Sequence, residues 1–204
     1  MNINVTRSIA ATASVDVDDA VGVEKKHWFV AIVNHNSEKT SASRLAEQGY
    51  ECFVATQRET RVWRNGKRAV VDRVVIGSTI FIRCTERERR TVVAMPYINR
   101  FLTNRAATTA TPGSPRPIAR IPAVQIEKLR FMLGHSDTPV ELTGRPYGKG
   151  DMVRVVRGGL RGLEGEVMQA DGGKSHLLVR FDILGCARCE IDPMDLEPIH
   201  LNHT

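Results

Sequence analysis

Apolar and polar positions alternate along the chain with two different periods. Residues 27–33, HWFVAIV, are almost continuously apolar, as expected of a central strand buried on both faces. Asn34-His35-Asn36-Ser37 follows, rich in residue types that open helices, and Ala42, Leu45 and Ala46 give residues 37–48 a helical stripe. Gly49 stops that helix, and residues 50–54 read as a strand. Residues 59–63 and 69–75 flank Asn65-Gly66, a strong hairpin signal. Residues 79–84, TIFIRC, form another buried-type strand, and Thr85-x-x-Glu88 is a capping box that opens a helix over 86–95. A strand over 98–103, a polar loop over 104–117 and a short strand over 118–121 come next. Pro122 then opens a helix whose apolar stripe is Ile126, Leu129, Met132 and Leu133.

Beyond residue 134 the helical period disappears. Residues 135–146 hold two prolines, a glycine and no period, which predicts a flexible linker. After them the pattern is all β: 151–156, 164–170, 176–181 and 187–191, with a final turn near Met194 and a hairpin turn at Asp171-Gly172-Gly173-Lys174. Glycines crowd the first of these connections at 158, 159, 162 and 165, as a tightly curved backbone requires. The predicted class is α+β: an α/β sandwich with an antiparallel sheet over 26–134, then a small SH3-like β-barrel over 147–200. Residues 1–25 lack any period and read as a disordered extension.

Charge sharpens this picture at one place. The 204-residue chain carries a net charge of +6, which favours a polyanionic or acidic partner. Between residues 58 and 73 there are six basic residues, Arg58, Arg61, Arg64, Lys67, Arg68 and Arg73, against Glu59 and Asp72. The predicted hairpin is therefore basic, and Trp63 sits beside its turn. Cys186-x-x-Cys189 is the only paired cysteine motif, and a structural zinc site would need two further ligands, for which His176, His200 and His203 are the candidates on paper. It lies in a β-only region rather than at the strand–helix junction of a redox motif, so no metal or cofactor is expected. No phosphate-binding loop, nucleophile elbow or H-E-x-x-H is present, so no catalytic residue is expected. No run approaches the roughly 18 apolar residues of a membrane span, and the chain reads as a soluble, cytoplasmic monomer.

The glycine-rich stretch GKGDMVRVVRGGLRGLEGEV at 148–167 resembles the KOW motif of transcription and ribosomal proteins. With the domain in front of it, the order of segments resembles the NusG family of transcription elongation factors. HWFVAIVNHNSEKTSASRLAEQGYECFVAT looks like the family's opening strand–helix–strand, and ETRVWRNGKRAVVDRVVIGSTIFIR like its hairpin and following strand. IPAVQIEKLR is similar to the segment closing its N-terminal NGN domain, and LEPI to the end of its KOW barrel. The family's Pro-Gly turn is replaced here by Ile76-Gly77-Ser78-Thr79, and its Gly-Pro-Phe by Gly158-Gly159-Leu160. These departures, with the N-terminal extension, point to a specialised paralogue acting on selected operons, such as those for polysaccharide synthesis.

The resemblance implies functional residues. Trp28, Ile76 and Thr79 match an apolar patch that grips the RNA polymerase clamp. The basic hairpin, with Arg58, Arg61, Trp63, Arg64, Lys67, Arg68 and Arg73, would meet upstream or non-template DNA; Arg44 and His35 are further candidates. Leu163, Ile183 and Leu184 match the barrel surface that meets ribosomal protein S10 or the termination factor Rho, with neighbouring glycines expected to present them outward. The alternative is a KOW-type RNA-binding or ribosome-associated protein, which the basic residues Lys149, Arg154, Arg157, Arg161, Lys174, Arg180 and Arg188 permit.

Overall fold

A computed structural model describes residues 24–104, 107, 114–143, 150–169 and 175–199. The predicted extension over 1–25 and the turn at 171–174 fall almost wholly outside the described residues.

Strand β1 (His27–Ile32) leads to helix α1 (Glu38–Glu47) and strand β2 (Glu51–Phe53). The hairpin strands are β3 (Thr56–Val62) and β4 (Arg68–Val74), followed by β5 (Thr79–Cys84) and helix α2 (Glu86–Val93). Strands β6 (Arg100–Phe101) and β7 (Arg120–Ile121) are shorter than the apolar runs that predict them. Helix α3 (Ala123–His135) completes this part. The sheet runs β2-β5-β1-β6, with β7 also paired to β1, and all its pairings are antiparallel.

Both faces of this sheet are covered, which explains why alternation is invisible in its strands. Phe29, Ala31, Val33, Ile80, Ile82 and Cys84 turn toward α1 and α2, where Leu45 and Val92 are fully buried. Trp28, Val30 and Phe81 turn the other way, toward Ile126, Leu129, Met132 and Leu133 of α3. Phe53 stacks on Phe81 with ring centroids 5.5 Å apart. The capping box opens α2 as the spacing predicts: Thr85 Oγ1 accepts from Glu88 N at 3.1 Å, and Glu88 Oε2 from Thr85 N at 2.7 Å.

The C-terminal part is one antiparallel sheet. It contains β8 (Glu141–Thr143), β9 (Asp151–Val155), β10 (Glu164–Gln169), β11 (Ser175–Phe181), β12 (Gly185–Ile191) and β13 (Leu196–Pro198), in the order β13-β9-β10-β11-β12-β8. A single 3₁₀ turn, Pro193–Asp195, precedes β13. Within the linker expected at 135–146, residues 141–143 form strand β8, and 144–146 lie outside the described residues. His135 ends α3, and Glu141 and Leu142 pair with Arg188 and Ala187 of β12. The edge of β12 supplies the backbone partners that this three-residue strand cannot supply for itself.

The buried residues of the C-terminal sheet, including Val153, Val155, Leu177, Val179 and Phe181, form one continuous cluster with α3 and the α3-facing side of the first sheet. Helix α3 explains the continuity, because it is apolar on two faces. Ile126, Leu129 and Leu133 enter the first sheet, while Val124 and Phe131 line a cleft with Leu163 of the C-terminal sheet. Among the described residues, no helix is long and apolar enough to cross a membrane.

Candidate nucleic-acid and protein-binding surfaces

The hairpin forms a separate two-stranded sheet, so one of its faces has no cover. Its turn follows from Asn65-Gly66: Gly66 has φ +77°, Trp63 N donates to Lys67 O at 2.9 Å, and Asn65 Oδ1 accepts from Lys67 N at 3.1 Å. The register pairs Thr60 with Val70 and Val62 with Arg68. Arg58, Thr60, Val62, Arg68, Val70 and Asp72 therefore share the open face, and Val62 and Val70 are 62% and 67% exposed. Gln57, Glu59, Arg61, Ala69, Val71 and Arg73 share the other.

The six basic residues fall into two groups. Arg73 is held at the hairpin's base, with Nε 2.8 Å from Glu59 and Nη2 donating to Gln57 and to the Val140 carbonyl, both at 3.3 Å. Arg61 shares Glu59 at 3.1 Å, and Arg58 stands 3.8 Å from Asp72. Arg64, Lys67 and Arg68 surround the turn with no ion pair among the described residues, next to a Trp63 that is 45% exposed. Of the seven hairpin residues, Arg64, Lys67, Arg68 and Trp63 thus form an exposed cationic tip with one aromatic ring. Arg44 lies 5.6 Å from the centroid of the Tyr97 ring, and His35 lines a polar groove beside Arg61 and Arg73.

The residues expected at an apolar protein-binding patch are mostly buried. Trp28 is 4% exposed and Thr79 6%; Ile76 is half-buried against the same core. The Arg130 guanidinium lies over the Trp28 ring, 5.1 Å from its centroid, and over that of Phe53 at 4.9 Å, so α3 closes this side of the sheet. The unusual turn before β5 has a local cause. Ser78 adopts φ +57°, its N–H donates to the buried carboxylate of Glu38 at 2.5 Å, and its carbonyl accepts from Val33 N at 3.0 Å. Glu38 thus anchors the turn that lacks the family's proline.

The glycine-rich loop does not present Leu163 outward. Val155 N donates to Leu163 O at 2.9 Å and Gly162 N to Val155 O at 2.8 Å, folding the loop back on β9. Leu160 and Leu163, 6% and 5% exposed, consequently point into the core. Ile183 and Leu184 are half-buried in the turn between β11 and β12. That turn is held against α3, where Gln125 Nε2 donates to Asp182 Oδ2 at 2.8 Å. Gly159 touches the end of the same helix so closely that a β-carbon there would stand 2.1 Å from the His135 carbonyl oxygen.

The cationic residues of the C-terminal sheet are largely neutralised. Arg154 pairs with Glu164, its register partner, at 2.6 Å; Arg188 pairs with Glu141, likewise opposite, at 2.5 Å; and Arg180 pairs with Glu166 at 2.5 Å. Arg157 and Arg161 remain outside these pairs, while Lys149 and Lys174 lie outside the described residues. Cys186 and Cys189 are both buried, but three residues apart on one strand they face opposite sides. Cys189 approaches Ser136 and Thr138, whereas Cys186 lies near Arg180 and Glu166, so the two thiols cannot share one ion. Burial raises the pKa of both, keeping them protonated.

The family is given by a sequence match. A family model described as "Transcription termination factor nusG" matches residues 26–130, just over half of the 204-residue chain. A search of curated proteins finds no match. Among solved structures, one described as "Domain interaction in Thermotoga maritima NusG" is 13% identical with a TM-score of 0.45, covering 86% of this chain and 98% of that one. Another, of the MjSpt4:Spt5 complex in conformation B, is 15% identical with a TM-score of 0.25, covering 84% of this chain and 96% of that one. On the match over 26–130, the chain belongs to the NusG family, a family of transcription elongation factors that catalyse no reaction.

Proposed function

We propose that this protein is a cytoplasmic, monomeric elongation and antitermination factor that binds the clamp of RNA polymerase and favours processive transcription. The observation that carries this reading is the hairpin tip. In a NusG-family fold, a ribbon free on one face carries Arg64, Lys67 and Arg68, without ion pairs among the described residues, beside an exposed Trp63. Phosphate contacts from such a tip contribute salt-dependent affinity with little sequence information, and an indole can stack on an unpaired base. Upstream or non-template DNA next to the polymerase offers both.

The clamp contact falls to the first sheet around Ile76, with Trp28 and Thr79 shaping it from beneath. Its action is a population shift: tighter binding to the closed clamp than to the open one favours the processive state. The C-terminal sheet then recruits ribosomal protein S10 or Rho through the side carrying Ile183 and Leu184, with Leu163 supporting it from the core. The divergent turn at 76–79 and loop at 158–160 support service to selected operons rather than to all transcription.

Co-sedimentation of the full chain with purified RNA polymerase tests the reading. A stoichiometric complex is expected, weakened when Arg64, Lys67 and Arg68 are all replaced by glutamate. Absence of a complex at micromolar concentrations would refute it.

A further inference from the structure

A cleft of about 460 Å³ opens between helix α3 and the loop that joins β9 to β10. Helical spacing builds one wall, because Val124, Lys128 and Phe131 stand at i, i+4 and i+7 of α3. Val124 is exposed, and Phe131 is half-buried, its ring stacked on that of His135 with centroids 4.4 Å apart. Residues 161–164 form the facing wall, with the buried Leu163 beneath it. Gly162 leaves the mouth unobstructed, since a β-carbon there would meet nothing within 4 Å. Val124, Phe131 and Leu163 thus make one continuous apolar lining, unlike a scattered surface valine.

The charges at the rim are unevenly matched. Glu164 is taken by Arg154 at 2.6 Å, and Glu127 stands 3.9 Å from Arg130. Both of those arginines lie outside the cleft. Lys128 and Arg161, which line it, have no ion pair among the described residues. An apolar lining under two unanswered cations is complementary to an anion with an apolar body. A peptide strand fits less well, because its carbonyls would need free N–H groups. Those of Arg161, Gly162 and Leu163 already donate to Gly158, Val155 and Leu160, and those of α3 are engaged within the helix.

We propose that this cleft binds a small organic anion with an apolar body, of the class of medium-chain carboxylates. The chain of the ligand lies on Val124, Phe131 and Leu163, and its carboxylate meets Lys128 and Arg161. The guanidinium offers a fork of paired donors and the ammonium a point charge, which together fix the head of the ligand at the rim. The volume falls within the roughly 300–1,000 Å³ of small-molecule sites. The site is independent of any contact with polymerase or DNA.

Decanoate titrated into the full chain, followed by calorimetry and by amide chemical shifts, tests the site without a transcription assay. One saturable site is expected, with shifts concentrated at Val124, Lys128, Phe131 and residues 161–164. Lys128→Gln with Arg161→Gln removes both charged hydrogen-bond donors and should weaken binding about tenfold or more. Val124→Asp, at an exposed position, should weaken it at least as much. Acetate keeps the charge without the body and should not compete, and decylammonium reverses the charge and should bind more weakly than decanoate. Absence of a saturable site overturns the proposal, as does equal affinity in the wild type and the double variant. Equal affinity for decanoate and decylammonium overturns it too, and that comparison uses the unaltered chain, so it decides even if a variant fails to fold.

Discussion

Replacing Arg64, Lys67 and Arg68 together by glutamine is the sharpest perturbation of the hairpin. The structure sets the size of the effect by removing the other three cations from the count. Arg73 and Arg61 are engaged by Glu59, and Arg58 stands near Asp72. Each phosphate neutralised by a free cation contributes about 0.9 to the slope of log affinity against log salt on duplex DNA, and about 0.7 on single strands. Loss of three contacts lowers the slope by about 2.7 on duplex and about 2.1 on single strands. Between about 50 and 200 mM salt, the wild-type affinity should fall about 40-fold more than that of the variant on duplex, and about 20-fold more on single strands. Fluorescence anisotropy with a forked DNA, titrated across a salt series, reads both affinity and slope. Arg157→Gln with Arg161→Gln on the C-terminal sheet is the control and should leave the slope unchanged. An unchanged slope in the triple variant, or an equal change in the control, refutes the assignment of the tip.

Other expected outcomes follow from burial. Trp28→Ala removes a ring enclosed by the core and Arg130, and should cost about 3–5 kcal/mol in chemical unfolding; near-neutrality would return Trp28 to the surface. Leu163→Ala should cost about 2–5 kcal/mol, where a residue displayed on a loop would stay within about 0.5 kcal/mol. Burial pushes the Cys84 thiol up to about 12 from the ordinary thiol value of 9.0. The unfolded thiol ionises first as pH rises, so stability held below pH 9 declines between pH 9 and about 12, by at most about 1.4 kcal/mol per pH unit. Urea midpoints measured across that window should fall less steeply in Cys84→Ala than in the wild type; parallel declines would contradict the assignment.

The elements of the first sheet could be read from the sequence because local signals coincide there. An apolar run, a capping box and an Asn-Gly turn each have one local solution, and the structure adopts all three. The hairpin's charge was equally visible, since charge density needs no tertiary information. The division of its cations was not: Glu59 accepts from Arg61 and Arg73 only because the register places all three on one face. The burial of Leu163 escapes the sequence for a related reason. Glycines signal that a loop is tight without saying which side chains the closed loop turns inward, and here its hydrogen bonds to Val155 decide. Helix α3 shows four apolar residues of one stripe in its sequence, but Val124 and Phe131 make sense only once the C-terminal sheet lies beside them. Gln57 had no signal at all. It is a polar residue in a polar strand, and its burial rests on hydrogen bonds to Thr138 and Val140, about 80 residues away in a segment that reads as a linker.

The central claim is that the chain acts on transcribing RNA polymerase, and single-round transcription with purified components tests it most directly. Added in excess over polymerase, the protein should shorten pauses and raise the yield of full-length transcript, and the Arg64, Lys67 and Arg68 triple variant should do so less. Identical pausing and read-through with and without the protein would contradict the account.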